Sequence, residues 1–96
     1  MDSADGLSTN ELKRQLERLE DDERRISVRR RKLHDLITYR RTLGNPDGTP
    51  VTDEQLAELD EQERELSQER KALHSRIDAL REDLSARAQS EKRLLG

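Results

Sequence analysis

Glu63, Ser67, Arg70, His74 and Asp78 follow one another at intervals of four, three, four and four residues. Forty residues earlier, Glu23, Ser27, Arg30, His34 and Thr38 keep the same intervals. On a helix either set falls on one stripe. The flanking text repeats too: ERRISVRRRKLHDLIT, from Glu23, and ERELSQERKALHSRID, from Glu63, agree at seven of sixteen positions. A guanidinium presents a planar fork that matches a phosphate or the O6/N7 edge of guanine. A carboxylate accepts from N–H donors such as those on the Watson–Crick edge of guanine, and Ser and His add short hydrogen bonds. Arg24, Arg25, Arg29, Arg31 and Lys32 surround the first stripe, which suits a compact polyanion. With no Phe, no Trp and one Tyr, any base would have to stack on arginine planes.

Such stripes need long helices, and the composition supplies them. Of 96 residues, 43% are charged and 29% hydrophobic, too few large apolar groups for a globular core. Glu, Arg, Leu, Lys, Gln and Ala dominate and favour helix over disorder. Leu12, Leu16, Leu19, Ile26, Leu33 and Ile37 form a heptad seam if Glu23 and Arg30 fill its gaps. Leu56, Leu59, Leu66, Leu73, Ile77, Leu80 and Leu84 form another, with Glu63 and Arg70 in its gaps. Ser8 with Glu11 and Thr52 with Gln55 read as capping boxes, and Leu7 with Leu12 and Val51 with Leu56 as hydrophobic staples. Between the seams, Gly44-Asn45-Pro46-Asp47-Gly48-Thr49-Pro50 cannot continue a helix. The expected fold is all-α: an antiparallel two-helix coiled-coil hairpin. Its first helix covers residues 8–43, its turn 44–51 and its second helix 52–90, between a disordered start, 1–7, and a frayed end, 91–96. So thin a hairpin buries little, which leaves pairing of the free chain, as a homodimer, into a four-helix bundle open.

Net charge is −3, but residues 8–43 carry eleven Lys/Arg against seven Asp/Glu, and residues 52–94 eight against twelve. The opposite signs favour folding the helices together, though exposed pairs add only about 0.2–1 kcal/mol each. Folding about residues 47–48 sets Arg30 near Glu65 and Arg70 near Arg25, and brings Glu23 near Arg70 and Glu63 near Arg30, so the two stripes overlap and run in opposite directions. Simple interhelical ion pairing accounts for the Glu and Arg residues, and polar a positions can fix register. It does not account for the repeated Ser and His.

The pattern Glu-x3-Ser-x2-Arg-x3-Gln-x3-Asp on both helices of an antiparallel coiled coil is the signature of the RsiG family, and this sequence resembles a member over residues 8–85. The second copy departs only in His74 for Gln; the first departs in His34 for Gln and Thr38 for Asp. The resemblance implies an anti-sigma factor that sequesters a WhiG-type, flagellar-class sigma factor when armed with cyclic di-GMP. It implies two partly intercalated ligand molecules across the paired helices. Arg30 and Arg70 would contact guanine and phosphate. Glu23, Glu63 and Asp78 would accept from guanine N–H groups, and Ser27 and Ser67 would meet polar edges. His34 and His74 would hydrogen-bond or stack, and Thr38 has no carboxylate to offer.

Other chemistries fit less well. With no cysteine there is neither a disulfide framework nor a thiolate metal site, and the fold-back does not oppose His34 to His74, so no metal is expected. Catalysis is not expected of two paired helices without a concave, dry pocket. The basic run Arg29-Arg30-Arg31-Lys32 is opposed by an acidic second helix, which argues against direct DNA binding. No apolar run is long enough for a membrane span, and MDSADG lacks the regions of a signal peptide, so a cytoplasmic location is expected. Val28, Leu36 and Tyr39 lie off the seam and are candidates for a partner-docking face. The rival to a nucleotide-armed regulator is a structural or adaptor coiled coil that ignores nucleotides.

Overall fold

The computed structural model describes residues 7–95. It contains two helices, α1 (Thr9–Leu43) and α2 (Asp53–Leu95), and no strand among the described residues. This is the all-α helical hairpin that the two seams predict. The chain divides into two compact units, one of residues 24–71 and the other of the residues before 24 and after 71.

Both helices start where their side chains supply the missing acceptors. The Glu11 N–H donates to Ser8 Oγ (3.1 Å), and the Leu12 N–H closes the first turn on the Ser8 carbonyl (3.0 Å). At α2 the box is reciprocal: Gln55 N–H donates to Thr52 Oγ1 and Thr52 N–H to Gln55 Oε1, both at 3.1 Å. α1 ends at Gly44, whose φ of +80° lets its N–H reach the Arg40 carbonyl (2.9 Å).

The connecting loop holds itself together without a core. The Gly48 N–H donates to the Asn45 carbonyl (3.0 Å), with Pro46 and Asp47 at the corner. The Asn45 N–H donates to the Thr49 carbonyl (2.9 Å), and Asn45 Nδ2 lies 3.0–3.2 Å from Thr49 Oγ1, the Pro50 carbonyl and Gln55 Oε1. Asp47 Oδ1 accepts from the Thr49 hydroxyl (2.6 Å) and the Thr49 N–H (3.0 Å). The hydroxyl first, and then the amide, hold the Asp47 carboxyl below the usual carboxylate range.

Within each unit the helical segments run in opposite senses. In the unit of residues 24–71, Arg41 Nη2 meets Asp60 Oδ2 at 3.4 Å. In the other, Arg81 Nη2 meets Glu20 Oε2 at 3.0 Å, and Arg87 Nη1 donates to the Leu7 carbonyl at 2.8 Å. Leu7, expected in a disordered start, is thus tied to α2; residues 1–6 lie outside the described residues. α2 is continuous through Leu95, past the expected end at residue 90, because helix formers such as Ala86, Gln89, Glu91 and Lys92 carry it on.

The apolar interior is small. Among the described residues only Leu12, Ile37 and Ile77 are buried, each worth about 1.5–3 kcal/mol. The other seam leucines and Ile26 are half-buried, and so are the polar seam residues Glu23, Arg30, Glu63 and Arg70. Burial repeats with the sequence: residues 13–40 and 53–80 have the same class at every position.

Two predictions concern the loop. A Cβ on Gly44 would stand 2.9 Å from the Thr49 carbonyl oxygen, whereas one on Gly48, also at positive φ, would meet nothing. Gly48→Ala is expected to cost on the order of 1–2 kcal/mol for its left-handed backbone, and Gly44→Ala clearly more, in urea unfolding. For Asp47, a carboxyl pKa held low in the folded chain gives stability that is present above the unfolded pKa. That stability is lost as pH falls through the folded pKa. Asp47→Asn keeps an acceptor for Thr49 and is expected to flatten acid unfolding in that window; an unchanged acid limb would show that the Thr49 bonds do not select the carboxylate.

Candidate ligand-binding site

Heptad geometry dictates what the seam gaps must contain. An Arg or Glu at an a position points toward the neighbouring helix, yet its charged end cannot be left dry without several kcal/mol of desolvation cost. The surface therefore opens around these groups. In the unit of residues 24–71 it forms a cavity of about 440 Å³ lined by Ser27, Arg30, Arg31, His34, Glu63 and Arg70. Five of these are stripe residues, drawn from both copies. The hollow is open to solvent and lined by polar and charged side chains, because the polar seam residues keep space around themselves.

Three guanidiniums against one carboxylate give the lining an excess of positive charge, the right sign for a phosphate. Arg30 Nε is buried and has no hydrogen-bond partner. A buried donor left unmatched costs about 1–3 kcal/mol, which the free chain carries at Arg30. The volume lies in the range of small-molecule sites, roughly 300–1,000 Å³.

The remaining stripe residues are disposed differently. Ser67 is half-buried on α2 and Thr38 is exposed on α1. The Thr38 hydroxyl donates to the His34 carbonyl (3.1 Å), so it is engaged by its own helix. In the other unit, His74 Nε2 and Glu23 Oε1 are 3.1 Å apart, with the Glu23 side chain 19% exposed. The fold-back expectation sets Glu23 near Arg70; the hydrogen bond to His74 is a partner that spacing alone did not single out. Asp78, also in that unit, is exposed. Forty residues on from Glu23, and forty back from His74, stand Glu63 and His34, which share the cavity instead. Arg31 was legible only as part of a basic neighbourhood, because its place on the rim depends on how far the helices part. Among the described residues no group of three His, Cys, Asp or Glu side chains could hold a metal ion, and no helix is long and apolar enough to cross a membrane.

A family model described as RsiG-like matches residues 48–95, the second copy of the stripe and the helix that carries it. No curated protein and no solved structure matches the chain.

The unmatched donor gives a prediction for the free chain. Arg30→Met, similar in length but without polar atoms, is expected to raise the unliganded melting temperature, by on the order of 1 kcal/mol in stability. A lower melting temperature would mean that the guanidinium already has a stabilising role inside the protein.

Proposed function

The chain belongs to the RsiG-like family, and from that premise we propose that it is an anti-sigma factor armed by cyclic di-GMP. Membership points to a regulatory anti-sigma role rather than to an enzyme. The finer reading is this: the ten stripe residues, Glu23, Ser27, Arg30, His34, Thr38, Glu63, Ser67, Arg70, His74 and Asp78, take up two cyclic di-GMP molecules. The loaded hairpin then holds a WhiG-type, flagellar-class sigma factor inactive. The observation that carries it is a cavity lined by Arg30, Arg31 and Arg70 against the single carboxylate of Glu63, with Ser27 and His34 beside them. The arginines answer phosphates and the guanine O6/N7 edge, and Glu63 answers guanine N–H groups. Ligand phosphates offset the clustered cations, and the filled stripe presents a surface that the empty one lacks. If the sigma factor recognises only that surface, it tightens nucleotide binding by the same factor that the nucleotide tightens its own.

A nucleotide-independent adaptor coiled coil has one observation in its favour, the Glu23–His74 hydrogen bond, which treats two stripe residues as ordinary interhelical partners.

Calorimetry separates the two. Cyclic di-GMP is expected to bind saturably, near two molecules per chain, with the sigma factor present where the free hairpin is too weak. Arg30→Ala and Arg70→Ala are each expected to lose about tenfold or more in affinity, the equivalent of one charge-assisted hydrogen bond. Heat-silent titrations with and without the sigma factor would leave only the adaptor.

A further inference from the structure

Four large apolar side chains on α1 face water: Val28, Leu36, Tyr39 and Leu43, at 54, 37, 55 and 65% exposure. At roughly 100° per residue they fall within about 80° of arc, a single row. Isolated exposed apolar residues are ordinary, whereas a row of four marks an interaction surface. The row is also where the repeat stops. Its counterparts forty residues on are Gln68, Arg76, Ala79 and Asp83. Burial is duplicated between the helices, and this row is written once.

Charge breaks at the same place. Residues 24–43 hold eight Lys/Arg and a single acid, Asp35, while residues 64–83 hold five of each. By helical geometry Lys32 lies within the row and Arg29 on its edge, and both are exposed. Leu36 also lines an open, shallow recess with Arg40, Pro46, Val51 and Leu59, so the row ends beside a hollow that can admit an apolar side chain. Ser27, Arg30 and His34 lie about 140–160° around α1 from the centre of the row, so a molecule covering the row leaves the ligand cavity uncovered.

We infer that this row is a protein-docking face, separate from the ligand stripe. It takes an amphipathic helix whose apolar ridge is flanked by carboxylates, one apolar side chain seating in the recess beside Leu36. The basic flank selects an acidic partner. A second copy is disfavoured, because two rows laid against each other would bring Arg29, Lys32 and Arg40 of both chains together with only Asp35 to offset them. Duplex DNA would meet the cations but leave the apolar ridge in water. Because one helix alone carries the row, one partner docks per chain. The inference rests on the reading above in one respect, that the helix belongs to the sigma factor.

The test is a titration of purified sigma factor into the full chain at saturating cyclic di-GMP, beside a titration of the nucleotide alone. Leu36→Glu and Tyr39→Glu are expected to weaken sigma binding by about tenfold or more while holding the nucleotide within about twofold and keeping helical circular dichroism unchanged. Lys32→Glu, which leaves the apolar ridge intact, is expected to weaken the sigma factor as well. Wild-type sigma affinity in all three variants would overturn the docking face and leave the nucleotide reading standing. No sigma binding by the wild type would overturn both. Self-association of the free chain that Leu36→Glu abolishes would assign the row to a second copy, and duplex DNA binding abolished by the same change would assign it to nucleic acid; either overturns the inference.

Discussion

The constraint on which the structure depends is a seam too thin to be closed by apolar side chains. Among the described residues three apolar side chains are buried, and the chain has no Phe or Trp to widen the interior. At the gaps stand Glu23, Arg30, Glu63 and Arg70, which cannot be packed dry as a leucine can. A half-buried charge must find a partner, reach water or keep space around itself. Glu23 finds His74. Arg30 and Glu63 keep space and line a cavity, and the buried Arg30 Nε is left without a hydrogen-bond partner. The cavity and the weakness of the core thus have one cause: every polar a position removes apolar burial and leaves room for something from outside.

With so little interior, the ends and the loop carry much of the conformational specification. Caps at Ser8 and Thr52, the left-handed Gly44 and the Asn45–Asp47–Thr49 network fix where the helices stop and start, and hence which residues can face each other. The ion pairs add little energy, since Arg41–Asp60 and Arg81–Glu20 are both largely exposed. They are informative for another reason. Arg41 and Arg81, and Asp60 and Glu20, are forty residues apart, so each unit contains the same pairing. The repeat is therefore one of side-chain environment as well as of sequence.

Much of this was legible without coordinates, and the pattern of what was not is physical. Helix starts, the C-cap and the seams depend on residues within a turn of one another, and chain spacing fixes these. All the predicted seam positions are buried or half-buried. The association of Arg30 with Glu63 was legible because the repeat constrains the fold-back. The Glu23–His74 bond was not, because it turns on a shift of two residues between helices, within the reach of a long side chain. The hold of Arg87 on Leu7 was hidden for a similar reason: the flexible guanidinium is 80 residues away from a carbonyl that has no sequence signature. The Thr38 hydroxyl bond to its own helix follows from β-hydroxyl chemistry, yet spacing alone cannot say whether such a group turns inward or out.

On the proposed reading, the two helices resolve a conflict that a perfectly repeated hairpin could not. A ligand with two equivalent halves is best met by duplicated side chains, and burial, seam and stripe are duplicated. A protein partner is a single asymmetric object, and a duplicated surface would offer it two equal sites with no reason to choose. α1 breaks the tie. It replaces the terminal carboxylate of its stripe with Thr38, concentrates cations between residues 24 and 43, and carries the apolar row that α2 lacks. Thr38, Val28, Leu36 and Tyr39 fall outside the seam, and the burial pattern of residues 13–40 still matches that of 53–80. A coiled coil permits this: the seam fixes the pairing of the helices, and residues outside it can differ from one helix to the other at little cost in stability.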